Sequence, residues 1–350
     1  MKRILILILA LILLSGCAQD GKRYVLTSGF EEDEVFFVED VKCRLPEARV
    51  YIQTFLKRYE DAYGPEIWEK KIDGKSLAER IKKDTLSCIA RLKVIHLLAS
   101  DMGISLSEKE EAQCISAAKQ YMDCLSESDL QYLGLTEEIT TDMYREYALA
   151  EKVYNNITEG IEPEISDDEA RTVLVRQIEC RILHNDPLGR DKEYSQEQRM
   201  DAYARIHELS DRIEAGEDFD SLADRYNEGS EDTCSIGKDS NLSSSLKEAA
   251  FSLAKGQVSG VIETEDGFFL LKCISTLDRE ETDANKIRIL EDKKNEAFAG
   301  DYDEFRKTVY SGLNEAMWDR LEARPHAISA EEDFFDVYMR LFPKEIDSAK

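Results

Sequence analysis

The sequence lacks any apolar run long enough to cross a membrane as a helix: residues 4–14 are unbroken and apolar, whereas a hydrocarbon core needs about 20. It also lacks cysteines at metal or redox spacing. No two of its eight cysteines lie closer than ten positions, which excludes a zinc knuckle and a Cys-x-x-Cys pair. Histidine is scarce, and His96, His184, His207 and His326 are scattered, so no metal centre is expected. Positive charge is short as well, with 46 Lys and Arg against 73 Asp and Glu and a formal net charge of −27. Such a surface repels nucleic acid and anionic lipid, which argues against a DNA or RNA partner. What remains is a chain with 42% hydrophobic residues, enough for packed cores and, at this length, for two domains.

The start of the chain carries an address. Met1-Lys2-Arg3 is basic, the apolar run follows, and Leu14-Ser15-Gly16-Cys17 closes it. A basic n-region before a short apolar h-region reads as a secretory signal. The four closing residues resemble the lipobox of bacterial lipoproteins, which implies cleavage after residue 16 and acylation of Cys17, anchoring the protein to a membrane through buried acyl chains. Residues 17–34, polar and ending in Glu31-Glu32-Asp33-Glu34, read as a flexible tether. The remaining cysteines, Cys43, Cys88, Cys114, Cys124, Cys180, Cys234 and Cys273, are odd in number and cannot all pair within the chain. Most read as small buried apolar residues.

Two stretches carry helical periodicity. Ala48, Ile52, Phe55, Tyr59 and Ala62, and then Met143, Tyr147, Ala150, Tyr154 and Ile157, step by three and four, each giving one apolar stripe. Ser76/Glu79, Ser107/Glu110, Ser166/Glu169 and Ser329/Glu332 match the capping box that starts a helix. Phe298, Tyr302, Phe305 and Val309 continue the period near the end of the chain. The aromatic residues Tyr59, Tyr63, Trp68, Tyr144, Tyr154 and Trp318 are candidates to line a client-binding cradle, or are core. Residues 176–277 differ. Ile178, Cys180 and Ile182 alternate with Glu179, Arg181 and Leu183 as in a strand. Three helical segments follow, the first stopped at Gly216, and a strand at 268–274 closes the segment.

This middle segment resembles the parvulin family of peptidyl-prolyl cis-trans isomerases, as arranged in PrsA-type foldase lipoproteins and SurA-like chaperones. The residues that carry the resemblance are Gly216-Glu217-Asp218-Phe219 with Leu222-Ala223 and Tyr226, then Ala249-Ala250-Phe251-Ser252-Leu253, Lys255-Gly256-Gln257-Val258-Ser259 and Thr264-Glu265-Asp266-Gly267. The resemblance implies two histidines side by side on the first and last strands, an acid or thiol after the second helix, and a hydroxyl residue before the last strand. The chain departs at each. Arg181 stands at the first histidine position and Phe269 at the second. Gly229 aligns with the acid or thiol unless the loop Glu228-Gly229-Ser230 is an insertion, in which case Asp232 takes that place, and Asp266 replaces the hydroxyl residue. Arg181, Asp232 and Asp266 are therefore the candidate catalytic residues. Leu242, Leu246, Phe268 and Phe269 are the candidate proline pocket. Strand parity puts Cys273 on the side of Arg181 and Phe269 and Cys180 on the other, which argues against a disulfide.

The expected fold is α+β: a mostly helical chaperone domain from 35–175 and 278–345, with a parvulin-like insert at 176–277 made of a small antiparallel sheet flanked by helices. The resemblance implies an extracytoplasmic foldase acting on unfolded or nascent secreted chains, with prolyl isomerisation in the insert. The alternative is a holdase whose parvulin domain is catalytically degenerate and serves peptide binding or structure. No cofactor is called for, because rotation about an X-Pro bond makes and breaks no covalent bond.

Overall fold

The structure is a computed structural model and describes residues 29–72, 74–185, 191–193 and 195–343. The expected signal segment, Cys17, most of the tether and the end of the chain lie outside these residues. The fold is α+β, and the chain divides into two compact units, Met1–Gly160 with Asn295–Lys350, and Ile161–Lys294. The second unit is wider than the expected 176–277 insert. Its first strand starts at Thr172, and residues 278–294 stay with it. In particular, Asp278 N donates to Thr172 O, and Thr282 Oγ1 accepts from Thr172 N at 3.1 Å.

In chain order the main elements of the first unit are β1 (Glu34–Val38), β2 (Val41–Arg44), α1 (Leu45–Tyr63), α2 (Leu77–Asp101), α3 (Glu108–Asp123), α4 (Glu127–Leu133) and α5 (Glu137–Thr158). The second unit carries β3 (Thr172–Arg181), α6 (Gln196–Glu214), α7 (Phe219–Tyr226), β4 (Thr233–Gly237), α8 (Ser244–Ser252), β5 (Ile262–Glu263) and β6 (Gly267–Ser275). Helix α9 (Arg279–Arg306) begins in the second unit and ends in the first, which is completed by β7 (Ser311–Leu313) and a terminal helix, Phe334–Leu341.

Distant parts of the sequence close the first unit. Strand β7 pairs antiparallel with β1, Phe36 opposite Leu313. The Phe334 ring stacks on Tyr144 at 4.2 Å and meets Tyr51 and Tyr121 edge-on, and Arg58 binds both Asp333 and Asp336. Capping boxes form at Ser76/Glu79 and Ser107/Glu110. At Ser329 the outcome differs. Its hydroxyl donates to Asp129, 200 positions earlier in the chain, at 2.6 Å, and the terminal helix starts instead on an Asp333/Asp336 capping box. Of the aromatic residues read as cradle or core, Tyr144 is fully buried, Trp68, Tyr154 and Trp318 pack against buried clusters, and only Tyr59 and Tyr63 are exposed.

One charged cluster lies inside this core. Lys93 Nζ bonds both Glu146 oxygens at 2.6 and 2.7 Å and Glu47 at 2.9 Å, with Lys93 and Glu47 buried. Burial, partly opposed by Lys93, pushes the Glu47 carboxyl up to about 7.

Candidate active site

The second unit is built on one four-stranded antiparallel sheet in the order β4-β3-β6-β5. The edge strand β4 escapes a sequence reading because Thr-Cys-Ser-Ile-Gly offers one strong apolar position, yet it pairs with β3 from Thr172 to Arg176. The central pair sets the chemistry of the sheet. Gly267 lies opposite Arg181, Phe269 opposite Glu179, Leu271 opposite Gln177 and Cys273 opposite Val175. Directly opposed residues share a face and successive residues change face, so the sheet has two distinct surfaces.

One surface carries Ile178, Cys180, Phe268 and Leu270 and is covered by Ala202, Ile206 and Leu209 of α6 and Phe219 and Leu222 of α7. The other carries Val173, Val175, Phe269, Leu271 and Cys273, with Ile236 from β4, Ile262 from β5 and Leu246 and Ala250 from α8. Glu179 and Arg181 lie on this second surface by register, at the end of β3 where the apolar cluster stops. The arrangement is a buried apolar cluster with a charged end.

The loop after α7 fixes that end. Asn227 Oδ1 accepts from Glu179 N at 2.9 Å and Gly229 N at 3.2 Å, Glu228 N donates to Glu179 O at 3.0 Å, and Glu228 Oε2 accepts from Arg181 N at 2.8 Å. The loop is thereby laid along the end of β3. On the other side, the turn before β6 is held by Thr264 Oγ1, which accepts from Asp266 N and Gly267 N. Gly267 is required here by close approach, since a Cβ on it would sit 2.5 Å from Cys180 O.

The structure brings some candidate residues together and separates others. Arg181, Phe269 and Leu246 lie on one face. Phe268 points to the opposite face and packs under α6, so the two adjacent phenylalanines do not form one wall, as the strand period requires. Leu242 is exposed and stands in the loop before α8, outside the buried clusters. Asp266 is exposed on the turn, and among the described residues no ion pair joins it to Arg181, whose Nε is 3.4 Å from Glu179. Asp232 is drawn to the helix-covered face by Arg176 at 2.9 Å, which also holds Asp224, and the arginine keeps its carboxyl below the usual range. It does not meet Arg181.

The residue that the sequence reading passed over is Glu179. Its side chain is only 12% exposed, and burial raises its carboxyl above the ordinary range, with Arg181 opposing and Asp266 and Glu228 adding to the rise. The signal was present in the strand alternation, which sets Glu179 and Arg181 on the same side. Thiol chemistry is not offered here: burial pushes Cys180 and Cys234 up to about 11, so both are protonated near neutral pH. Among the described residues no group of side chains could hold a metal ion, and no helix is long and apolar enough to cross a membrane.

Residues 185–275 match the rotamase family, described as the PPIC-type PPIase domain. The foldase protein PrsA of Caldanaerobacter subterraneus subsp. tengcongensis is 25% identical over 292 residues, covering 79% of this chain and 85% of that protein. The foldase protein PrsA of Clostridium botulinum strain Hall is 21% identical over 282 residues, covering 73% and 80%. Among solved structures, the peptidylprolyl isomerase PrsA from Bacillus cereus aligns over 89% of this chain and 98% of its own, with 14% identity and a TM-score of 0.37. Residues 185–275 of the second unit therefore carry a match to the PPIC-type PPIase domain, in a chain that is similar along most of its length to PrsA foldases.

Proposed function

We propose that this protein is an extracytoplasmic foldase, lipid-anchored at Cys17, that assists secreted chains and isomerises their prolyl bonds on the Phe269 face of the second unit. The observation that carries the reading is the arrangement on that face: a buried apolar cluster of Phe269, Leu246 and Ile236 that ends in Glu179 and Arg181. Amide resonance sets a barrier of about 18–20 kcal/mol to X-Pro rotation, and a thousandfold acceleration asks for about 4 kcal/mol. Packing the proline ring on an apolar floor and withholding water from the carbonyl destabilise the planar amide relative to the twisted one, and charged groups at the rim meet the rotating ends. Arg181 is the donor suited to the rotating carbonyl oxygen, and Leu242, exposed before α8, is suited to contact the ring. Unfolded polypeptide is the substrate, and no cofactor takes part.

The holdase reading has one observation in its favour. Phe269 offers no polar group to a substrate and is packed within the apolar cluster. One experiment separates the two. Proline-limited refolding of a small protein, followed with the purified chain, is expected to accelerate and to lose that acceleration in Leu242→Ala, whose exposed side chain can be cut without opening a cavity. Suppressed aggregation without faster refolding would make the protein a holdase.

A further inference from the structure

Among the described residues, Glu179 is a carboxyl on the Phe269 face that the packing covers without giving it a full set of partners. Among the described residues its nearest cation is Arg181, whose Nε at 3.4 Å is buried and makes no hydrogen bond. The carboxyl also occupies reserved space. A Cβ on Gly229 would lie 2.5 Å from Glu179 Oε2, so the absence of a side chain at 229 is what lets the acid stand there. The loop that carries Gly229 is pinned to Glu179 itself through Asn227 and Glu228. Directly across the strand pair is Phe269, part of the apolar cluster that ends at Glu179.

We propose that Glu179 is a catalytic residue of this cleft, its carboxylic acid donating a hydrogen bond to the prolyl nitrogen of the substrate as the amide twists. The inference rests on the isomerase reading above. In the planar amide the nitrogen lone pair is delocalised and accepts poorly, whereas at the twisted geometry it is localised and accepts well. A donor placed there stabilises the transition state and not the ground state, which is the condition for raising the rate rather than the affinity. No covalent bond forms or breaks, and the proton stays on the carboxyl.

The surroundings decide whether that proton is present. Arg181, on the same strand, favours the ionised form. Burial, Asp266 from the turn before β6 and Glu228 from the loop after α7 favour the protonated form, with Glu228 itself bound by Arg205 of α6. Phe269 brings no charge from β6. The sign follows: the donor exists below the raised pKa of Glu179 and is lost as pH rises through it, so catalysis falls with rising pH.

The test is exchange NMR on a short Ala-Pro peptide with the whole protein, from about pH 5 to about pH 8. The wild-type exchange rate is expected to fall with rising pH. Glu179→Ala and Gly229→Ala, which remove or displace the acid, are expected to lose about tenfold at the acid end with peptide affinity unchanged. Glu179→Gln keeps an N–H donor and is expected to recover the rate lost in alanine and to be flat with pH. A wild-type rate that Glu179→Ala leaves unchanged overturns this inference alone. No catalysis at any pH, with peptide still bound, overturns the isomerase reading and this inference with it.

Discussion

Each unit withdraws glutamate from water, and Glu47 and Glu179 are treated in opposite ways. Glu47 in the first unit is buried against Lys93, which also holds both oxygens of Glu146. Glu179 in the second unit is nearly as covered, but among the described residues its nearest cation stands 3.4 Å away, and the missing side chain at Gly229 leaves the room its carboxyl occupies. Both carboxyls are raised by burial. The first is enclosed by its own unit and acts on stability. The second is left incomplete on the face where the apolar cluster ends, and an incomplete polar set is what a bound peptide can finish.

That contrast breaks most sharply at the lysine. Lys93→Ala leaves the buried Glu47 and the partly buried Glu146 without their cation, and a loss of about 3–5 kcal/mol is expected, read by urea unfolding followed through tryptophan fluorescence. Both tryptophans, Trp68 and Trp318, belong to the first unit, so this signal reports that unit alone. A smaller effect is expected at Glu47. Its folded pKa of about 7 lies above the ordinary 4.5, so the native state holds the proton longer and stability falls as pH rises from about 4.5 to about 7. Glu47→Gln is expected to flatten that fall by a few kcal/mol across the window, and an unchanged slope would remove Glu47 as its source. The smallest effect belongs to the open site. Arg181→Ala is expected to change stability by less than about 1 kcal/mol, since its ion pair with Glu179 is long and Arg181 is 38% exposed. A larger loss would mean that the charged end of the cleft is structural, as at Lys93.

The α+β class and the parvulin-like domain were legible in the sequence, and the reasons are local. Stripes on α1 and α5 and the boxes at Ser76 and Ser107 depend on neighbours three and four residues away, which a sequence displays. The alternation in β3 was legible for the same reason and separated Ile178 and Cys180 from Glu179 and Arg181. What escaped depends on distant partners. Ser329 is claimed by Asp129 across 200 positions, β4 is a strand because β3 offers it an edge, and Asp232 leaves the cleft because Arg176 holds it. The alternation set Glu179 beside Arg181, but its burial and the room that Gly229 leaves for its carboxyl are visible only in the fold.

The most direct measurement is a methyl-labelled NMR titration of the whole protein with a short Ala-Pro peptide. The two faces of the sheet carry separate reporters, Ile236 and Leu246 on one and Ile178 and Ile206 on the other. The account predicts that Ile236 and Leu246 shift on binding while Ile178 and Ile206 stay in place. Shifts confined to Ile178 and Ile206, or none on either face, would contradict it.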